Sequence, residues 1–296
     1  MKQTPDADEM FLDHVGWFVP AMDDASSAFE ALGFTLTPFA VHAAADPATG
    51  VPRPLGTANR LVMLEQGYLE ILTPTGAVQA PVVDHMQACL ARHVGVHLLA
   101  LSIADTDAAR TRLVDAGFSV QPTVPLRRML EAEAGGEVEV AFSVLRPAFN
   151  TFDEGRVQLL THHTPEHVWQ PRYTAHANGI TSLKAAHLVS ATPAVTREKL
   201  TRFTARDMAG AQLTLDRGAL YLRDDSDHAT HAMFGQTPDG AQAPYIAAIT
   251  LGARDLTGTR QALLDRGVNL ALDEPARLLI AAPDACGVAL EIVPDA

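Results

Sequence analysis

The sequence predicts an α+β protein built from four tandem βαβββ units, on three observations. A strand ending recurs with an acid or its amide in one slot, an apolar strand plus an amphipathic helix recurs ahead of it, and glycine follows three of the four helices. The endings read Gly67-Tyr68-Leu69-Glu70-Ile71-Leu72, Gly155-Arg156-Val157-Gln158-Leu159-Leu160 and Gly287-Val288-Ala289-Leu290-Glu291-Ile292-Val293. Side chains alternate along a strand, so the apolar neighbours pack on one face while the Glu or Gln points to the other. A polar acid in an apolar strand is costly unless it finds a partner. A metal ion, a substrate or a buried base would serve.

The units open with Leu12-Asp13-His14-Val15-Gly16-Trp17-Phe18-Val19, Val96-His97-Leu98-Leu99, Ala186-His187-Leu188-Val189 and Tyr245-Ile246-Ala247-Ala248. Helices are expected behind Asp23, Asp107, Thr192 and Asp255, whose side chains can accept from free N–H groups of a first turn, with Pro193 at a first helical position. Gly33, Gly117 and Gly267 suit the left-handed residue that ends a helix, and the third helix lacks one. Residues 38–58 and 122–136 read as irregular excursions, 82–91 as a connecting helix, and 162–179 as the linker. Units one and two are expected to form a domain over 1–174, and units three and four a partly degenerate one over 175–296.

The chain has 296 residues, of which 47% are apolar, enough for sizeable cores. A net charge of −13 argues against nucleic acid and anionic membranes as partners. No apolar run is long enough to span a bilayer. The polar, acidic first ten residues suggest no signal peptide. Cys89 and Cys286, in no metal or redox spacing, fit a reducing, cytoplasmic setting.

The opening 12–19, the helix ending Leu32-Gly33-Phe34, the ending 67–72 and Gly56-Thr57-Ala58-Asn59-Arg60 resemble the vicinal oxygen chelate superfamily, and within it the glyoxalase-like domain proteins. That resemblance implies units paired into two cupped, barrel-like sheets with a site inside. It implies a divalent metal (Zn, Ni, Mn or Fe) held by His14 and Glu70, and a lyase, isomerase or dioxygenase acting on a small molecule through vicinal oxygens. His97 lies one residue off the matching slot of unit two, so it becomes a ligand only through a bulge. Gln158, a neutral donor, occupies the carboxylate slot. In the second half His187 and Glu291 match the His and Glu slots. The alternatives are a His14–Glu70 hydrogen bond without metal, and a metal-free protein that binds and sequesters a small molecule.

Other polar residues complete the candidate site. His163 is the expected proton shuttle, with Gln158 tuning the site; of His162 and His163, alternation sends one inward and one outward. Trp17, Asn59, Arg60 and Arg172 are candidate substrate contacts, Arg172 by bidentate grip on a carboxylate. Arg127 and Arg128 form a second clamp candidate, Trp169 and Tyr173 a pocket mouth, and His228 and His231 a solvated loop. Expected partners are a small molecule and, as an open alternative, a second copy of the chain in a homodimer.

Overall fold

In a computed structural model, which describes residues 2–45, 51–149, 151–226, 234 and 242–295, each apolar opening becomes a central strand and each acid-bearing ending its parallel neighbour. Unit one comprises β1 (Met10–Phe18), α1 (Met22–Ala31), β2 (Ala40–Ala45), β3 (Pro52–Met63) and β4 (Tyr68–Pro74). Helix α2 (Pro81–Arg92) leads to unit two: β5 (Gly95–Ile103), α3 (Thr106–Asp115), β6 (Val124–Glu131), β7 (Glu137–Leu145) and β8 (Arg156–His162). A short α4 (Pro165–Val168) precedes unit three, with β9 (Ile180–Ser190), α5 (Pro193–Thr204), β10 (Met208–Ala209), β11 (Gln212–Thr214) and β12 (Ala219–Asp224). Unit four contains β13 (Tyr245–Ala253), α6 (Leu256–Asp265), β14 (Leu270–Glu274), β15 (Arg277–Ile280) and β16 (Ala289–Pro294).

The strands assemble into two eight-stranded sheets of the same design, in the orders β2-β3-β4-β1-β5-β8-β7-β6 and β10-β11-β12-β9-β13-β16-β15-β14. In each, two units meet through their first strands, antiparallel, β1 on β5 and β9 on β13. Those four strands are buried at nearly every position, as their unbroken apolar runs require. The outer faces share one core, in which Leu12, Val15 and Trp17 join Leu183, Leu188 and Ile249. Backbone bonds stitch the sheets together, from Leu12 N–H to the Arg217 carbonyl at 2.8 Å and from Leu183 N–H to the Gln66 carbonyl at 2.9 Å.

Local details differ from the sequence expectation where side chains found other partners. Residues 38–58 are not an irregular excursion: β2 and β3 pair as an antiparallel hairpin there. Likewise 122–136 contains β6, paired along its length with β7. Helix α3 is capped by Asp105, which accepts from the N–H groups of Asp107 and Ala108, rather than by Asp107. Helix α1 starts behind Ala21, with Asp23 in its first turn. Asp255 does cap its helix, accepting from Gly258 N–H. The third helix ends in a left-handed residue all the same, and Ala205 adopts it at φ 54° without the glycine that suits it. The linker is held fast: His176 accepts from Thr35 N–H at 3.0 Å and donates to the Met63 carbonyl at 2.8 Å, while Asn178 donates to Leu32. His228 and His231 lie outside the described residues.

Candidate functional site

The inner face of the first sheet is built by alternation interrupted at two bulges. Leu12 faces Leu101 and His14 faces Ala100, which leaves Asp13 bulged between them. Asp13 and His14 therefore both turn inward, where strict alternation would separate them. Tyr68 and Glu70 from β4, Asn59 from β3 and His162 from β8 share this face, as their contacts show, and Gln158 joins them through the register His14–Ala100–Gln158. Trp17 falls on the other side: its ring packs edge-on against Phe29 of α1 and its indole N–H donates to the Ala285 carbonyl.

Asp13, with no exposed surface, organises the centre. One oxygen accepts from His14 Nδ1 at 2.7 Å and the other from His162 Nε2 at 3.0 Å. A carboxylate can only accept here, so both imidazoles are donors at those atoms. Burial pushes the Asp13 carboxyl up, but the charges and hydrogen bonds of His162 and His14 reverse this and hold it far below the usual carboxylate range. Burial, with Asp13 and Glu70 nearby, raises the Tyr68 hydroxyl well above its ordinary value. Tyr68 stacks on His14 with ring centres 4.3 Å apart. With Nδ1 occupied, His14 Nε2 faces Glu70 at 3.7 Å, beyond hydrogen-bond range. Asn59 fixes the other Glu70 oxygen at 2.7 Å, and His42 Nε2 approaches that same oxygen at 4.0 Å.

The donor set does not fit a resident divalent ion. His14 and Glu70 come together, and His42 Nε2 stands 4.0 Å from the same carboxylate, but its ring is tied to Thr57 and the three do not close into a metal-holding group among the described residues. The bulge that would aim His97 inward exists, between Val96 and Leu98 opposite Trp17 and Gly16. Yet His97 Nε2 is held by the His93 carbonyl at 2.9 Å, and its ring packs on Phe18 and His93. Burial lowers the His97 imidazole to about 3. The oxygen Gln158 would offer a metal instead accepts from Arg146 Nε at 3.3 Å, so a guanidinium stands beside it. Among the described residues no three His, Cys, Asp or Glu side chains form a metal-holding group.

The remaining sequence candidates are sorted by face. His163 is exposed and bonds Ser143 at 2.9 Å, while His162 takes the inward place. Arg60 donates to the Thr37 carbonyl and pairs with Glu30, away from the cup. Arg172 donates to the Glu131 carbonyl and lies over Tyr173. Trp169 packs on His162 and Tyr68 and closes one end, where α2, through Met86 and Cys89, covers Phe18 and Leu98 at another. Arg127 pairs with Glu139 in solvent, whereas Arg128 turns inward and its buried Nε has no hydrogen-bond partner among the described residues. Sequence reasoning missed Asp13, Tyr68, His42, Arg146 and Arg156 as site residues. Tyr68 and Arg156 carried a signal, lying two residues before Glu70 and Gln158 and so on their faces.

The second sheet holds a sealed counterpart. There Leu183 faces Leu251 and Ala185 faces Thr250, with Lys184 bulged, so Ala185 occupies the slot of His14 and Lys184 that of Asp13. His187 lies two residues further along the same face, at the slot of Gly16. Glu291 does match Gln158, since Ala248 pairs with Ala289 as Leu98 pairs with Arg156. His187 Nε2 bonds Thr250 at 2.8 Å and lies 3.6 Å from Glu291, whose oxygens also accept from Thr250 at 2.5 Å and Arg277 at 2.6 Å. Burial raises the Glu291 carboxyl, but the hydrogen bonds from His187, Thr250 and Arg277 outweigh it and hold it at about 2. Tyr221 stacks on the His187 ring and Phe234 packs against it at 60°.

Paired βαβββ units with a site on the inner face of a curled sheet define a vicinal oxygen chelate fold. The chain belongs to the glyoxalase-like domain family, whose model matches residues 12–204. Among solved structures it is similar to a hypothetical protein from Staphylococcus aureus, at 11% identity and TM-score 0.65, covering 97% of this chain and 100% of that one. It is similar as well to a mutant of 4-hydroxymandelate synthase from Streptomyces coelicolor, at 15% identity and TM-score 0.58 over 97% and 92%. A xylose isomerase-like TIM barrel/4-hydroxyphenylpyruvate dioxygenase fusion protein matches at 12% identity and TM-score 0.54, over 99% of this chain and 50% of that one. At such identities the likeness is one of fold. No curated protein sequence matches the chain. No helix among the described residues is long and apolar enough to cross a membrane.

Proposed function

We propose that this is a glyoxalase-like enzyme that binds a small oxygenated organic molecule in the first curled sheet and moves a proton on it with His14, without a resident metal. The observation that carries this reading is the line Asp13–His14–Glu70. Asp13 holds the His14 ring through Nδ1 at 2.7 Å, and Nε2, which makes no hydrogen bond of its own, is placed to exchange a proton with a ligand. Arg146, beside Gln158, supplies positive charge where an oxyanion left by proton removal would need it. Residues 1–174 would form this working module and 175–296 its supporting one.

Deuterium exchange tests the reading. The protein is incubated in D2O with a panel of 2-oxo acids and 2-hydroxyketones, and proton NMR follows loss of the C–H signal next to the carbonyl. Exchange on at least one compound is expected, lost in His14→Ala and kept in His187→Ala. Exchange no faster than buffer across the panel, or exchange that survives His14→Ala, would sink the proposal. A binding-only protein is the second reading, favoured by the apolar lining that Met86, Phe18 and Leu98 give one end of the cup. Compounds that raise the melting temperature without any exchange would select it. Stoichiometric metal in protein purified without chelator, lost in His14→Ala, would restore the metalloenzyme.

A further inference from the structure

A cavity of about 570 Å³ opens beside the cup, between α2, residues 147–149 and 151–157, and residues 242–244 of the second half. It is not lined by His14 or Glu70. Its tie to them is Arg156, which lines the cavity and feels the charges of Arg146 and Glu70. Arg156 makes no hydrogen bond or ion pair with the described residues; its guanidinium lies over the Phe149 ring, 5.5 Å from the centre. Burial, then the neighbouring Arg146, lowers Arg156 to about 9, so it stays charged at neutral pH. A cation desolvated without a partner is a standing cost to the fold. Arg146 is served by Gln158 alone, and Glu70 is the one carboxylate acting on both guanidiniums among the described residues. Arg146 and Arg156 share the one carboxylate of Glu70, and Asp153 on the cavity wall is paired with Lys199, which leaves positive charge in excess at the Arg156 end of the cavity.

The cavity walls describe the anion that would balance this charge. The rings of His85 and Phe149 stack on each other with centres 4.8 Å apart at 31°, an aromatic wall beside the Arg156 guanidinium. Burial lowers the His85 imidazole and raises the Cys89 thiol, so both walls are neutral at pH 7. Arg92 at the rim is held by the carbonyls of Asp153 and Pro244.

We infer that the ligand is an organic monocarboxylate with a flat body, its acid group on Arg156 and its body against Phe149 and His85. A planar guanidinium fork suits a carboxylate, which it can grip with two parallel bonds. This deepens the proposed function by naming the ligand class. It rests on that reading for the link to His14, not for the existence of the cavity.

Isothermal titration with benzoate, benzamide and phenylphosphonate separates the possibilities. Benzoate should bind and benzamide should not, and Arg156→Met should weaken benzoate by about tenfold to a hundredfold. Because Arg156→Met removes an unpaired, half-buried charge, it should also raise the melting temperature, which a damaged fold would not do. Phe149→Ala should weaken benzoate while leaving the melting temperature of the benzoate-free protein within a few degrees of wild type. Benzoate affinity unchanged in Arg156→Met, equal binding of benzamide, or tighter binding of phenylphosphonate would each overturn the inference. His14→Ala should keep benzoate affinity. Benzoate binding with no deuterium exchange would therefore fail the proton-transfer proposal alone, and His14-dependent exchange indifferent to Arg156→Met would fail this one alone.

Discussion

The two sheets set a histidine against a glutamate at almost the same distance, 3.7 Å for His14 and Glu70 and 3.6 Å for His187 and Glu291. What differs is the company. In the second sheet every polar atom of the pair is spoken for, by Thr250, Arg277 and Arg223, and Tyr221 and Phe234 cover the ring. In the first sheet Asp13 fixes one imidazole nitrogen and leaves the other unbonded toward the cup. A satisfied buried pair is a structural element; a half-satisfied one facing a cup is equipped to act on something else. The same scaffold thus yields a strut and a site, and distance alone does not tell them apart.

The largest break in the comparison is expected at Asp13. Its counterpart Lys184 is paired with Asp295 just past the end of β16, whereas Asp13 is enclosed and serves His14 and His162 together. Asp13→Ala would strand two buried imidazoles and should cost about 3–5 kcal/mol. Urea unfolding measures this, and a loss below about 1 kcal/mol would show that Asp13 does not organise the centre.

The two glutamates should then part company. Glu291→Gln removes a carboxylate that three donors hold at about 2, down from 4.5, and should cost on the order of 2–3 kcal/mol at neutral pH. The sign follows from linkage. A carboxyl whose folded pKa is depressed stabilises the protein above its unfolded pKa and loses that contribution as pH falls from about 4.5 toward 2. Wild type should therefore lose stability in that window, and Glu291→Gln should lose less of it. Glu70→Gln, by contrast, should change stability little and should stop deuterium exchange. Reversal of the pattern, with exchange lost in Glu291→Gln only, would move the site to the second sheet.

Much of this was legible in the sequence, for reasons that can be named. The unbroken apolar openings could only be strands buried on both faces, and the Gly-terminated helices between them set the unit length. Glu70, Gln158 and Glu291 were visible because period-two alternation isolates one polar residue per strand. The rest was not legible because register lies outside any one strand. The bulges at Asp13 and Lys184 decide which residues face inward, and they arise from pairing with β5 and β13. So Asp13 stayed hidden beside His14, and His187 read as a match when pairing shifts it two residues along. Arg146 follows the end of β7, where alternation no longer predicts direction.

A smaller contrast concerns the third helix. Gly33, Gly117 and Gly267 sit at φ values of 87°, 83° and 76° after their helices, while Ala205 takes φ 54° with a Cβ in place. Left-handed backbone costs a non-glycine residue about 1 kcal/mol, so Ala205→Gly should stabilise by up to that amount. A destabilising result in thermal unfolding would mean that chain entropy outweighs the relieved strain.

The smallest effect expected is the most discriminating for the face assignment. His162 and His163 are neighbours of one residue type, so composition and local sequence cannot separate them. In the fold, His162 is buried against Asp13, Phe142 and Trp169, while the exposed His163 side chain bonds Ser143. His163→Ala should therefore stay within about 0.5 kcal/mol of wild type and leave exchange untouched. His162→Ala should cost about 1–3 kcal/mol, since it opens a void beside a buried carboxylate and removes one of its donors. Paired unfolding curves read the difference directly. Equal losses would show that neither histidine is inward in the sense drawn above. A loss of exchange in His163→Ala with stability intact would return the proton shuttle to the exposed residue and leave His162 as packing for Asp13.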